Sequence, residues 1–156
     1  MNDRFKFRAY ITCIINRDTE EEKEVSFYIN DVAVYRYGDI GFSRDQLLDT
    51  LSKLDLTEAQ KDEIEEDISE NSYCEDYDWY SIEFGEKEQC TGLKDKNGKL
   101  IYEGDIVRQV SKREPEYEEY LTEVKWCGYG YPLYEKEDFD YIVIGNIHEN
   151  PELLEN

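Results

Sequence analysis

Residues 91–107, TGLKDKNGKLIYEGDIV, constrain the fold most, because turn residues stand at short, regular intervals between apolar runs. Asn97-Gly98 is a preferred two-residue hairpin turn, since a type I′ turn needs φ > 0 at both central positions. Counting outward sets Lys96 opposite Lys99, Asp95 opposite Leu100 and Leu93 opposite Tyr102. Glu103-Gly104-Asp105 then breaks the chain before a strand over residues 106–110. A chain punctuated in this way reads as antiparallel β structure.

The rest of the chain extends that pattern. Residues 5–15 alternate, with Phe5, Phe7, Ala9, Ile11, Cys13 and Ile15 on one side. Arg4, Lys6, Arg8, Tyr10 and Thr12 fall on the other side, which predicts a half-buried strand with a basic outer stripe. Residues 25–29 and 32–37 read as strands around the turn formers Asn30-Asp31, and residues 38–41 as the end of that sheet. Ser43 with Gln46 forms a capping box, and Phe42 with Leu47 a hydrophobic staple, so a helix starts there. Its apolar face is Leu47, Leu48, Leu51 and Leu54. Thr57 with Gln60 starts a second helix whose apolar stripe is thin, namely Ala59, Ile64 and Ile68. Further strands are expected at 79–84, 121–126 and 141–147, and Asn150-Pro151 signals a last helical turn. The fold class is therefore α+β: an N-terminal antiparallel sheet with two inserted helices over 1–85, then a β region over 86–156. Short strands, glycine turns and the GDIV strand entry make that second region similar to a small SH3-like barrel, a likeness that fixes no function.

Charge narrows the partners. The chain carries a formal net charge of −21, and residues 55–78 hold 11 acids against the single base Lys61. Such an excess repels nucleic acid and anionic lipid and attracts basic surfaces. Aromatic residues make up 14% of the chain, too many for a disordered acidic tail. No apolar run approaches the roughly 18 residues of a membrane span, and Arg4, Lys6 and Arg8 interrupt any secretory leader. Cys13, Cys74, Cys90 and Cys127 form no C-x-x-C pair, and read as free thiols of a cytoplasmic protein.

Two further motifs join the hairpin segment: VIGNIHENPELL at 143–154 and RFKFRAY at 4–10. Together the three resemble the YopX family, whose members are encoded mainly by phages and prophages of Gram-positive bacteria. The resemblance implies a phage or prophage protein acting inside a host bacterium, and it brings no biochemical activity with it. Residues 25–90 match no pattern of that family.

Chemistry-bearing motifs are sparse. His148 is the sole histidine, so a nucleophilic dyad or a histidine metal site must centre on it, and no cysteine stands at a telling spacing. Glu75-Asp76-Tyr77-Asp78 lacks the glycine of a calcium loop, and no phosphate-binding glycine loop occurs, so no cofactor or metal is expected. What remains is the acidic helix. Asp62, Glu63, Glu65, Glu66, Asp67 and Glu70, continued by Glu75, Asp76 and Asp78, can imitate the charge spacing of a nucleic-acid backbone. A charge run more often only keeps a face solvated. The expectation is a non-enzymatic acidic protein that engages the basic surface of a host nucleic-acid-binding defence protein, as anti-CRISPR and anti-restriction inhibitors do. A self-assembling homo-oligomer, its basic stripe meeting a neighbour's acids, is the alternative, and a cysteine–histidine enzyme a more distant one.

Overall fold

The computed structural model describes residues 6–74, 76, 78–113, 119–128, 130–131, 133 and 138–155. Two compact units emerge: one runs Phe7–Lys87, and the other is built of the chain from Glu88 onward with Lys6.

In the first unit, β1 (Phe7–Ile15) pairs antiparallel with β2 (Lys23–Asn30), from Arg8 opposite Asn30 to Ile15 opposite Lys23. The alternation works as expected for Ala9, Ile11, Cys13 and Ile15, which are buried beside Val25, Phe27 and Ile29. Arg8 departs from the expected basic stripe. It is buried, with its guanidinium 4.4 Å above the Tyr28 ring, because a long stem and an aromatic face cover each other. Arg4 and Phe5 lie outside the described residues.

A second sheet, β3 (Ala33–Val34), β4 (Ile40–Ser43) and β5 (Trp79–Ile82), is antiparallel in that order. Here the expected strand over 32–37 is cut short. Tyr35 donates its N–H to Asp39 O and Gly38 to Tyr35 O, so the chain reverses and residues 40–43 become the central strand rather than the end of the sheet. The two helices are inserted between β4 and β5: α1 (Arg44–Ser52) and α2 (Glu58–Glu70). Both predicted capping boxes are present, Ser43 with Gln46 and Thr57 with Gln60. Phe42 and Leu47, the staple pair, are fully buried together with Ile40, Leu51, Ile64, Ile68 and Ile82. Leu48 is exposed and Ala59 faces solvent, so each helix buries a narrower stripe than its apolar residues suggest.

The second unit is also antiparallel. β6 (Glu86–Lys94) pairs with β7 (Leu100–Tyr102), and β8 (Asp105–Ser111) lies between β9 (Glu119–Glu123) and β10 (Phe139–Asn146). Ile101, Val107, Val124 and Tyr141 form its core, with Leu93, Leu133, Phe139 and Val143 against them. The hairpin turn is one residue longer than predicted. Asp95, not Lys96, faces Lys99, and its N–H donates to Lys99 O at 2.8 Å. The cause is the Asp95 carboxylate, which is buried and accepts the amides of Asn97 (2.8 Å), Lys99 (2.9 Å) and Val143 (3.1 Å). Leu100 thus pairs with Lys94 and Tyr102 with Cys90, across a register shift. A 3₁₀ turn, Pro151–Leu154, follows Asn150 as anticipated. Among the described residues the architecture is α+β, with two α-helices and antiparallel sheets. No helix among the described residues is long and apolar enough to cross a membrane.

Candidate functional site

Helix α2 lies where its sequence demands. Ile64 and Ile68 bury completely, which fixes the opposite side as the outer ridge. Asp62, Glu66 and Glu70 recur at i, i+4 and i+8, share that ridge and are exposed. Successive members stand roughly 6 Å apart along the axis. Glu58 begins the same row, 86% exposed and paired with Lys61 at 2.7 Å.

Not every carboxylate of the helix faces outward. Asp67 is only 8% exposed and accepts a hydrogen bond from Arg17 Nη2 at 2.6 Å, with Asn71 Nδ2 3.3 Å away. Glu65 is held by the Arg44 guanidinium and accepts the Tyr80 hydroxyl at 3.0 Å. The Arg44 hydrogen bond, assisted by Tyr80, holds the Glu65 carboxyl below its ordinary range against its partial burial. Burial, then Glu65, pushes the Tyr80 hydroxyl up. Glu63 is half-buried and takes the Arg17 N–H at 3.4 Å. These inner acids fasten the helix to the unit, which sequence alone placed uniformly on the surface.

Two clefts flank the ridge. One, of about 820 Å³, is lined by Arg44, Asp62, Glu65, Glu66, Asp76, Asp78 and Tyr80, with Ser69, Ser72 and Cys74. The other, of about 380 Å³, is lined by Ile14, Arg17, Asp18, Glu63, Glu66, Asp67 and Glu70. Glu66 borders both and so marks the crest. Of the predicted residues, Asp62, Glu65, Glu66, Asp76 and Asp78 meet at the first cleft, and Glu63, Glu66, Asp67 and Glu70 at the second; Glu75 lies outside the described residues. Sequence reasoning missed Arg17, Asp18 and Arg44 as members. Arg44 carried a signal, as the first residue after a helix cap with an acidic helix to follow.

His148 lies in the other unit. Its Nε2 is 3.0 Å from Glu88 Oε1, with side chains 13% and 5% exposed. The turn that carries it is held by Asn146 Oδ1, which accepts the N–H groups of His148 (3.0 Å) and Glu149 (2.9 Å). Gly104 makes room for Glu88, whose Oε1 would lie 2.5 Å from a Cβ there. The geometry is that of a buried clasp. All four cysteines are free, and among the described residues no three metal-ligating side chains gather.

One protein-family model, described as YopX protein, matches residues 45–155. That match takes in α2 and β5, within the stretch that no motif had covered, and leaves out the RFKFRAY opening. No curated protein and no solved structure matches the chain.

Proposed function

We propose that this chain, which belongs to the YopX family, is a non-enzymatic acidic interaction protein that occupies the basic cleft of a nucleic-acid-handling protein. The observation that carries this reading is the sorting of charge on α2. Glu65 and Asp67 are neutralised inward by Arg44 and Arg17, while Asp62, Glu66 and Glu70 remain exposed in one row beside Asp76 and Asp78. Among the described residues no ion pair engages Asp62, Glu66 or Glu70, which leaves these carboxylates to a partner's cations.

Spacing favours one version of the mimicry. Asp62, Glu66 and Glu70 repeat roughly every 6 Å of helix axis, sparser than the 3.4 Å per phosphate of one strand and far sparser than the 1.7 Å of a duplex. The row therefore imitates a single phosphate track better than a whole duplex. A phage or prophage product acting in the host cytoplasm against a restriction or CRISPR nuclease fits this chemistry. The second unit, on this reading, is a small SH3-like barrel closed around Val107 and Tyr141.

Capture from a lysate of a Gram-positive bacterium tests the proposal. Immobilised protein is expected to retain a DNA- or RNA-processing enzyme that oligonucleotide competitor displaces. Retention that nucleic acid leaves undiminished contradicts it.

A further inference from the structure

A second surface of the first unit has its own chemistry. On the β3–β4–β5 sheet, Ile40, Phe42, Tyr80 and Ile82 face the core, so the register places Ala33, Gly41 and Ser81 side by side on the other face. That floor of small residues is roofed by aromatic rings. Tyr35 Cε2 lies 2.6 Å, and Trp79 Cζ2 3.0 Å, from where a Cβ of Gly41 would stand. Glycine at position 41 therefore lets the two rings settle onto the sheet, and Tyr35 remains 43% exposed. Tyr73, 67% exposed, donates its N–H to Ser81 O, and next to it Asp39 and Glu83 line one cleft with Tyr37, Gly38 and Lys87, whose ammonium is held by Gly38 O. Aromatic faces and two carboxylates thus share one patch.

We propose that this patch receives arginine side chains of a basic polypeptide, a guanidinium stacking on Tyr35 and Trp79 while its N–H groups reach Asp39 and Glu83. Charge complementarity and shape select this occupant. A guanidinium is planar, stacks on aromatic rings and donates in a fork to carboxylates, whereas an ammonium is a compact, strongly hydrated point charge. The molecule already makes such a contact in the adjoining loop, where the Arg36 guanidinium stands 5.9 Å above the Tyr37 ring. The inference rests on the basic-partner reading above and specifies which cation that partner presents here.

Fluorescently labelled nona-arginine and nona-lysine, equal in charge, separate this patch from the acidic row. Wild type binds nona-arginine more tightly, and Tyr35→Ala and Trp79→Leu each reduce the arginine-to-lysine affinity ratio about two- to fivefold. Asp62→Lys/Glu66→Lys/Glu70→Lys weakens both peptides and leaves the ratio in place. Asp39→Asn/Glu83→Gln, which preserves size at the rim, reduces the ratio in the same way and carries the test if an aromatic variant does not fold. A wild-type ratio of one, or a ratio unmoved in folded patch variants, overturns the proposal. A triple lysine variant that binds both peptides undiminished overturns the acidic-row reading and not the patch.

Discussion

Arg17 Nη2 lies 2.6 Å from Asp67 Oδ1, joining the chain just past β1 to the inner side of α2. The Arg17 end is half-exposed and the Asp67 end is buried, so the pair fastens the helix rather than advertising charge. This one contact separates structural from available carboxylates on a helix whose sequence makes them look alike. Arg17→Ala is expected to lower the melting temperature more than Lys53→Ala, which removes an exposed pair with Asp49. Asp67→Asn on top of Arg17→Ala should recover part of the loss, because the buried site then holds no unpaired charge. Equal melting of the two single variants would contradict the assignment.

Alkaline stability should report on Cys13. Burial, reinforced by Asp67, pushes its thiol from an ordinary value of 9.0 up to about 12. The unfolded chain then releases this proton at lower pH than the folded one. The contribution to stability is therefore complete below about pH 9 and is lost as pH rises toward 12. Urea unfolding of wild type and Cys13→Ala across that range should show a shallower decline in the variant. Glu65 acts at the other end: its lowered carboxyl contributes stability above the ordinary range and loses it as pH falls through the folded value.

The Asp95 carboxylate anchors the hairpin turn. Asp95→Ala leaves the amides of Asn97, Lys99 and Val143 without their acceptor and should cost about 2–4 kcal/mol in chemical denaturation. Asp95→Asn, which keeps one acceptor oxygen, should cost less. A loss below about 0.5 kcal/mol for the alanine variant would mean that the Asn97-Gly98 turn closes without it.

For His148, the clasp to Glu88 predicts a structural effect. His148→Ala should destabilise by about 1–3 kcal/mol through the hydrogen bond removed from a buried carboxylate. Gly104→Ala should do so as well, since φ is +79° and the added carbon meets Glu88. A His148→Ala protein that melts like wild type would reopen a chemical role for the imidazole.

Much of this fold was legible in local pattern. The β1 alternation, both capping boxes and the Pro151 turn follow from residues a few positions apart, and the family match agrees with the hairpin and C-terminal motifs. What failed depended on distant partners. The hairpin register followed the Asp95 carboxylate, because its acceptor demand includes Val143 from a far strand. Residues 40–43 became a central strand only through pairing with β5, separated from it by both helices. The acidic helix was visible as a run of carboxylates, yet its division into inward Glu65 and Asp67 and outward Asp62, Glu66 and Glu70 required Arg17, Arg44 and Tyr80 to be placed. The aromatic patch was hidden for the same reason, since nothing local joins Tyr35 to Trp79 across Gly41.

Charge reversal on the ridge tests the central claim most directly. Asp62→Lys/Glu66→Lys/Glu70→Lys should fold as wild type does and lose capture of the nucleic-acid-handling protein. Glu20→Lys/Glu21→Lys/Glu22→Lys, the same charge change on an exposed turn elsewhere, should retain it. Capture undiminished by the ridge variant, or lost equally in both, would show that the outer carboxylates of α2 serve only as a solvated face.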